Sequence, residues 1–219
     1  MIIGINGKIG SGKDTVGKII QWLTKPELDG SYIGFQTYDD ATLERVSDWK
    51  IKKFAGKLKQ TASLLTGIPV EMFEDQEFKK QEMPECWNKL QQSGRSKVLA
   101  PMTYRQFLQE LGTEAMRNGL HSNVWVNALF ADYRLWSNGK KDWYPNWIIT
   151  DMRFPNEMEA IVKKSGITIR VVRPGTAQGT HPSEIALDGS IMHYEIINDG
   201  TIEDLIEKVK EILTKEKII

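Results

Sequence analysis

The chain has 219 residues, with 29 Lys and Arg against 29 Asp and Glu and a formal net charge of zero. That balance excludes a polycation that holds nucleic acid by neutralising its phosphates, yet leaves room for a local basic cleft around one small anion. A single cysteine, Cys86, excludes an intramolecular disulfide and a multi-cysteine metal site; no apolar run approaches the roughly 20 residues that span a bilayer.

Read in chain order, Ile2-Ile3-Gly4-Ile5 is a first strand, and its immediate start predicts a chain with no signal peptide. Gly7-Lys8-Ile9-Gly10-Ser11-Gly12-Lys13-Asp14-Thr15 follows directly. Two glycines flanking four residues and then lysine is the layout of a phosphate-binding P-loop between a strand and a helix. Gly7, Gly10 and Gly12 let the backbone turn its N–H groups onto one anion, and Ser11 lies among them. The following helix adds its positive end, and Lys13 adds a point charge for nucleotide phosphates. Asp14 stands where Ser or Thr is usual, with Thr15 next. Val16, Ile19, Ile20 and Leu23 recur at helical spacing, and the helix is expected to stop before Pro26.

Residues 40–100 are polar and lysine-rich, with no strand expected. They read as a mostly helical inserted lobe whose core is Trp49, Phe54, Leu58, Leu64, Leu65, Met72, Phe73 and Trp87, ending in a loop over 94–101. The basic run from Trp49 to Lys59 is either a solvated face or a source of lysines for a substrate phosphate. Thr103-x-x-Gln106 is a capping box opening a helix, with Tyr104, Phe107, Leu108, Leu111 and Ala115 as its inward stripe. Arg105 and Gln109, one turn apart, suit a monophosphate and a base edge, or are an exposed polar pair.

Trp147-Ile148-Ile149-Thr150 is a buried strand that delivers Asp151 to the C-terminal edge of a sheet, where ligands bind in open α/β folds. Asp151 is there as a metal partner of the P-loop or as a cap before Pro155. Arg153 leaves the same edge as a phosphate partner or a surface charge. A helix over 156–164 closed by Ser165-Gly166, a strand over 168–173, a short strand over 195–198 and a final helix capped by Thr201-x-x-Asp204 complete the chain. Alternating strands and helices imply a parallel sheet covered on its faces. His121, His181 and His193 are too widely spaced for a metal cluster; only His181, in Thr180-His181-Pro182-Ser183-Glu184, is kept as a site candidate. The whole is expected to be one α/β P-loop domain over 1–219 with 40–100 inserted.

Several segments together resemble one family, the deoxynucleoside monophosphate kinases of tailed bacteriophages. They are Ser11-Gly12-Lys13-Asp14-Thr15, Phe54 to Lys59, Arg105 to Thr113, Trp125-Val126 and Asp151-x-Arg153 with Asn156-Glu157-Met158. Val171 to Gly175, Thr180-His181-x-x-Glu184 and Asn198-Asp199-Gly200 complete the set. In that family Asp also follows the P-loop lysine, whereas Lys57 departs from the family's proline. The resemblance implies transfer of the ATP γ-phosphate to a deoxynucleoside monophosphate. Lys13, Asp151 and Arg153 would be catalytic, with Mg²⁺ held by Asp14, Thr15 and Asp151 directly or through water. Lys59, Arg105 and Gln109 would contact the acceptor, Asn198, Asp199 and Gly200 would border the adenine, and Arg173 with His181 would belong to a lid. A cytoplasmic enzyme, a homodimer like its relatives, without nucleic-acid or membrane partners, is the accompanying expectation. The alternatives are a P-loop kinase for another metabolite, such as dephospho-coenzyme A or phosphomevalonate, and a non-catalytic nucleotide-binding module.

Overall fold

Ile2, Ile3 and Ile5 are completely buried on strand β1 (Ile2–Gly7), as expected of a parallel strand covered on both faces. The computed structural model describes residues 1–25, 32–93, 96–176 and 185–219. Its contacts divide the chain into two units, one formed by residues 1–54 and 129–219 and the other by residues 55–128.

In the first unit β1 is central. It pairs in parallel with β7 (Asn146–Ile149) on one side and β8 (Ile167–Val172) on the other. β2 (Trp49–Lys52) and β9 (Tyr194–Ile197) extend the sheet outward, so the order is β2-β7-β1-β8-β9, all parallel. One face carries α1 (Lys13–Leu23) with α3 (Asp40–Val46) and the last helix, α8 (Ile202–Lys215). Val16, Ile19, Ile20 and Trp22 of α1 and Leu205, Ile206 and Val209 of α8 join Ile3, Ile5 and Ile169 in one core. The other face carries α7 (Pro155–Val162), whose Ile161 approaches β1 so closely that a Cβ on Gly4 would lie 2.6 Å from Ile161 Cδ1. A short α2 (Tyr32–Gln36) and a hairpin of β5 (Trp136–Ser137) and β6 (Asp142–Trp143) complete the unit.

The second unit contains most of α4 (Phe54–Thr66), a hairpin of β3 (Lys89–Ser93) and β4 (Ser96–Ala100), α5 (Tyr104–Gln109) and most of α6 (Val124–Phe130). Ala62, Phe73, Met83, Tyr104, Phe107 and Leu108 form its core. Beyond Gln109 the helix widens into a π-helix over Glu110–Asn118. Five-residue hydrogen bonding slips the side-chain phase, which corrects the expected stripe: Ala115 is exposed.

Three other expectations are overturned. β2 is a strand of the main sheet, because Ile51 and the lysine stems of a half-buried edge strand pack on β7 while their charges reach solvent. Ser96–Ala100 is a hairpin strand, not a loop. Leu64 and Leu65 of α4 and the nearby Met72 are exposed (88%, 53% and 41%), since Leu58 and Ala62 carry the inward side of that helix. At the end of α7 it is Ser165 that turns left-handed (φ 56°). Gly166 is needed for space, since a Cβ there would meet the Ile2 and Ile161 carbonyls at 2.9 Å.

Ile161 is fully buried against β1. Ile161→Ala is expected to cost about 2–5 kcal/mol through lost burial and a residual cavity. Urea unfolding should show the midpoint falling with an unchanged slope.

Candidate functional site

The turn after β1 is built by two left-handed glycines, Gly10 (φ 81°) and Gly12 (φ 93°), a conformation that costs a Cβ-bearing residue. Gly12 is the N-cap of α1 and provides no side-chain cap, so the first helical N–H groups are left for an anion. Gly7 is forced by space, because a Cβ there would sit 2.4 Å from Ser11 Oγ and 2.8 Å from Val171 O. Ser11 is buried, and its hydroxyl has no hydrogen-bond partner among the described residues.

Lys13 opens α1 and is mostly enclosed. Its Nζ lies 3.3 Å from Asp14 Oδ2, and Lys53 Nζ lies 3.3 Å from Asp14 Oδ1. Thr150 donates its hydroxyl to the same Oδ1 at 2.9 Å, which brings the start of α1 to the C-terminal end of β7. Burial pushes the Asp14 pKa upward, but Lys13, Lys53 and the Thr150 bond outweigh it and hold the carboxyl below its usual range. Next in the chain, Asp151 accepts the Phe54 N–H at 2.8 Å through Oδ1. Both carboxylates therefore stand at the sheet edge where open α/β folds bind ligands. Thr15 is half-buried in the first turn of α1.

Arg153 is half-buried, and its N–H donates to Glu157 Oε2 at 2.7 Å, so buried Glu157 fixes the turn that carries it. Asn198 donates through Nδ2 to Ser11 O at 2.8 Å, while its own N–H donates to Val172 O at 2.7 Å. It is thus a strut of the loop. Asp199 pairs with Lys208 at 2.9 Å, and Gly200 packs on Asp204, where a Cβ would meet Oδ2 at 2.3 Å. Arg173 is exposed at a turn closed by Thr176, and His181 lies outside the described residues. Arg170, unanticipated, donates to the carbonyls of Leu187 and Ser190, and Asp188 in that turn pairs with Lys8 at 3.4 Å.

In the second unit the acceptor candidates fall together only in part. Lys59 Nζ pairs with Glu74 Oε2 at 2.6 Å, and Arg105 donates to Gln76 Oε1 at 2.9 Å. Gln109 is exposed one turn further along α5. Thr150 escaped the sequence reading, and Lys53 figured there only within the basic run from Trp49 to Lys59. Thr150 had one legible signal, a hydroxyl immediately before a strand-ending carboxylate.

A central strand that runs through a glycine-rich turn into a lysine-headed helix, inside an all-parallel sheet, defines a P-loop nucleotide-binding fold. The chain belongs to the deoxynucleotide monophosphate kinase family, whose profile matches residues 50–209. It is 35% identical over 119 residues to a putative deoxynucleotide monophosphate kinase of Acanthamoeba polyphaga mimivirus, a stretch that covers 49% of this chain and 59% of that protein. It is 35% identical over 113 residues to the deoxynucleotide monophosphate kinase of Enterobacteria phage T4, covering 50% and 44%. The chain thus spans about half the length of these relatives. A match to the deoxynucleoside-5'-monophosphate kinase of Escherichia phage T5 is 25% identical over 239 residues and covers 90% of this chain and 89% of that protein. Among the described residues no helix is long and apolar enough to cross a membrane.

Because its folded pKa lies below the unfolded one, Asp14 contributes stability above the unfolded value, and that contribution is lost as pH falls through the folded value. The carboxylate is half-exposed, so the contribution is under about 1 kcal/mol. Asp14→Asn should flatten the acid side of the stability profile below about pH 5 in urea unfolding.

Proposed function

We propose that the protein transfers the γ-phosphate of Mg·ATP to a deoxynucleoside monophosphate, giving the diphosphate and ADP. The observation that carries this reading is Lys13 at the head of an uncapped α1, beside the Asp14–Thr150–Asp151 edge, in a chain of the deoxynucleotide monophosphate kinase family. No observation favours the other metabolites or a non-catalytic module.

The covalent chemistry is simple. An acceptor phosphate oxygen, already anionic at neutral pH, attacks the γ-phosphorus while the bond to the ADP oxygen breaks, so no general base is needed. Catalysis is positioning and charge neutralisation. The amides of Gly10 to Lys13 receive the donor phosphates, and Lys13 exchanges its contact with Asp14 for the β- and γ-oxygens. Arg153 offsets charge on the migrating group. In the second unit Arg105 and Lys59 hold the acceptor phosphate and Gln109 faces the base. Asn198 keeps the loop in shape through Ser11 O.

Two carboxylates and a hydroxyl, all hard oxygen donors, suit Mg²⁺, which binds through one or two carboxylates, its own waters and substrate phosphates. Asp14, Thr15 and Asp151 would hold it, and when bound it neutralises the transferring phosphates. The cytoplasm of the infected host, where deoxynucleotides are made, is the proposed compartment.

A coupled ADP-release assay with Mg·ATP, the four deoxynucleoside monophosphates and their ribose counterparts tests the reading. Turnover on at least one deoxynucleotide is expected; silence across the panel with ATP still bound would sink it. Lys13→Ala should lower kcat by about 10²–10³-fold or more. Arg105→Ala should raise KM for the monophosphate about tenfold or more with KM for ATP unchanged, and the reverse pattern would remove its acceptor role.

A further inference from the structure

A single guanidinium on β8 holds together a turn that reaches the phosphate loop. Arg170 lies beside Asn6 in the β1–β8 register, one residue before the Gly7–Val171 pair. Its Nη2 donates to the carbonyls of Leu187 and Ser190, the latter at 3.0 Å, and its Nη1 donates to Asp188 O at 3.4 Å. The turn also closes on itself. Asp188 N–H donates to Ile185 O at 3.0 Å, Ser190 N–H donates to Leu187 O at 2.9 Å, and the Leu187 side chain is buried. Carbonyl oxygens that converge in one place need donors to satisfy them. The planar guanidinium, with five N–H groups in a fixed fork, serves several acceptors at once.

The turn delivers Asp188 to Lys8, the second residue of the phosphate loop. Lys8 Nζ lies 3.4 Å from Asp188 Oδ2, with the lysine side chain 24% exposed and the carboxylate 53%. The Lys8 carbonyl accepts the Ser11 N–H at 3.1 Å, the bond that folds the loop back on itself. Lys8 is thus held at its ammonium by Asp188 while its backbone shapes the loop. A carboxylate beside a phosphate site repels the ligand, so Asp188 favours donor binding only where its hold on Lys8 outweighs that repulsion. Arg170, Asp188 and Lys8 all belong to the first unit.

We propose that Arg170 is a positioning residue for the donor nucleotide: it fixes the 187–190 turn, the turn sets Asp188 against Lys8, and Lys8 keeps the phosphate loop in its anion-receiving shape. The proposal rests on the kinase reading above, which makes ATP the ligand of that loop. Arg170 touches no nucleotide itself. Because it acts through Asp188, the two residues form one unit, and their effects fall on the donor and not on the acceptor.

The test uses the full chain and four variants: Arg170→Met, Arg170→Lys, Asp188→Asn and the Arg170→Met/Asp188→Asn double variant. Arg170→Met and Asp188→Asn are each expected to raise KM for ATP about two- to fivefold, the range of an exposed ion pair, with KM for the monophosphate unchanged. The double variant should match Arg170→Met alone, because residues that act as a unit do not multiply their effects. Arg170→Lys should fall between wild type and Arg170→Met. Three results would each overturn the proposal and leave the kinase reading standing. One is a double variant whose KM for ATP is the product of the two single effects. Another is a lower KM for ATP in Asp188→Asn, which would make Asp188 only a repulsive charge. The third is a lower unfolding temperature in Arg170→Met with KM for ATP unchanged, which is a structural role alone. Should Arg170→Met not fold, Asp188→Asn and Lys8→Met carry the same comparison between single and double variants. A wild type that binds ATP but is inert on every monophosphate would overturn the kinase reading instead. The Kd for Mg·ATP from calorimetry then replaces KM, with the same pattern required and equal affinities overturning the proposal.

Discussion

The hydrogen bond from Thr150 to Asp14 joins the head of α1 to the end of β7, and the geometry of the phosphate loop follows from that join. It is made within reach by Gly17, one turn further along α1, where a Cβ would lie 2.8 Å from Thr150 Cγ2. From the other flank Asn198 ties Ser11 O to the segment that follows β9. The loop is thus braced by residues that arrive with strands on both sides of β1. A braced loop loses less conformational freedom when an anion arrives, which is how preorganisation contributes to affinity.

The same join sets the electrostatics. Asp14 faces Lys13 and Lys53 at once, so one carboxylate holds two ammonium groups in place. The carboxylate stays ionised because two cations and a hydroxyl outweigh its partial burial. Phosphate oxygens offer those lysines the same charge in greater number. Asp14 is therefore an internal counter-anion for both lysines.

Much of the first unit was legible in the sequence because its signals are local. The helical spacing of Val16, Ile19 and Ile20, the Thr201 capping box and the apolar run Trp147 to Ile149 each encode one element within a few residues, and each element is present. The P-loop is local in the same sense. What failed was context. Trp49 to Lys52 alternates lysine with apolar residues, which at a sheet edge is a strand with snorkelling stems and in isolation is a charged surface. Lys52 over the Trp147 ring at 5.6 Å shows the difference, because that ring comes from almost a hundred residues away. The carboxylate at 14 was legible as a position, but not its two lysines and its hydroxyl, which converge only in the folded sheet.

The slip from α- to π-helix after Gln109 explains why the second unit was half legible. Arg105 and Gln109 precede the slip, so four-residue spacing describes them correctly. Beyond it, the same arithmetic put Ala115 inside, where it is exposed. The widened turn brings Gly112 against Leu58, with no room for a side chain, and its carbonyl accepts the Trp125 indole N–H at 2.9 Å. The π-helix that continues α5 is thereby fastened to α4 and α6 without using the residues that carry charge, while Lys59 and Arg105 face the 74–76 segment. Glu74 holds Lys59 there much as Asp14 holds Lys13 and Lys53. In both places a single carboxylate fixes where an ammonium group sits.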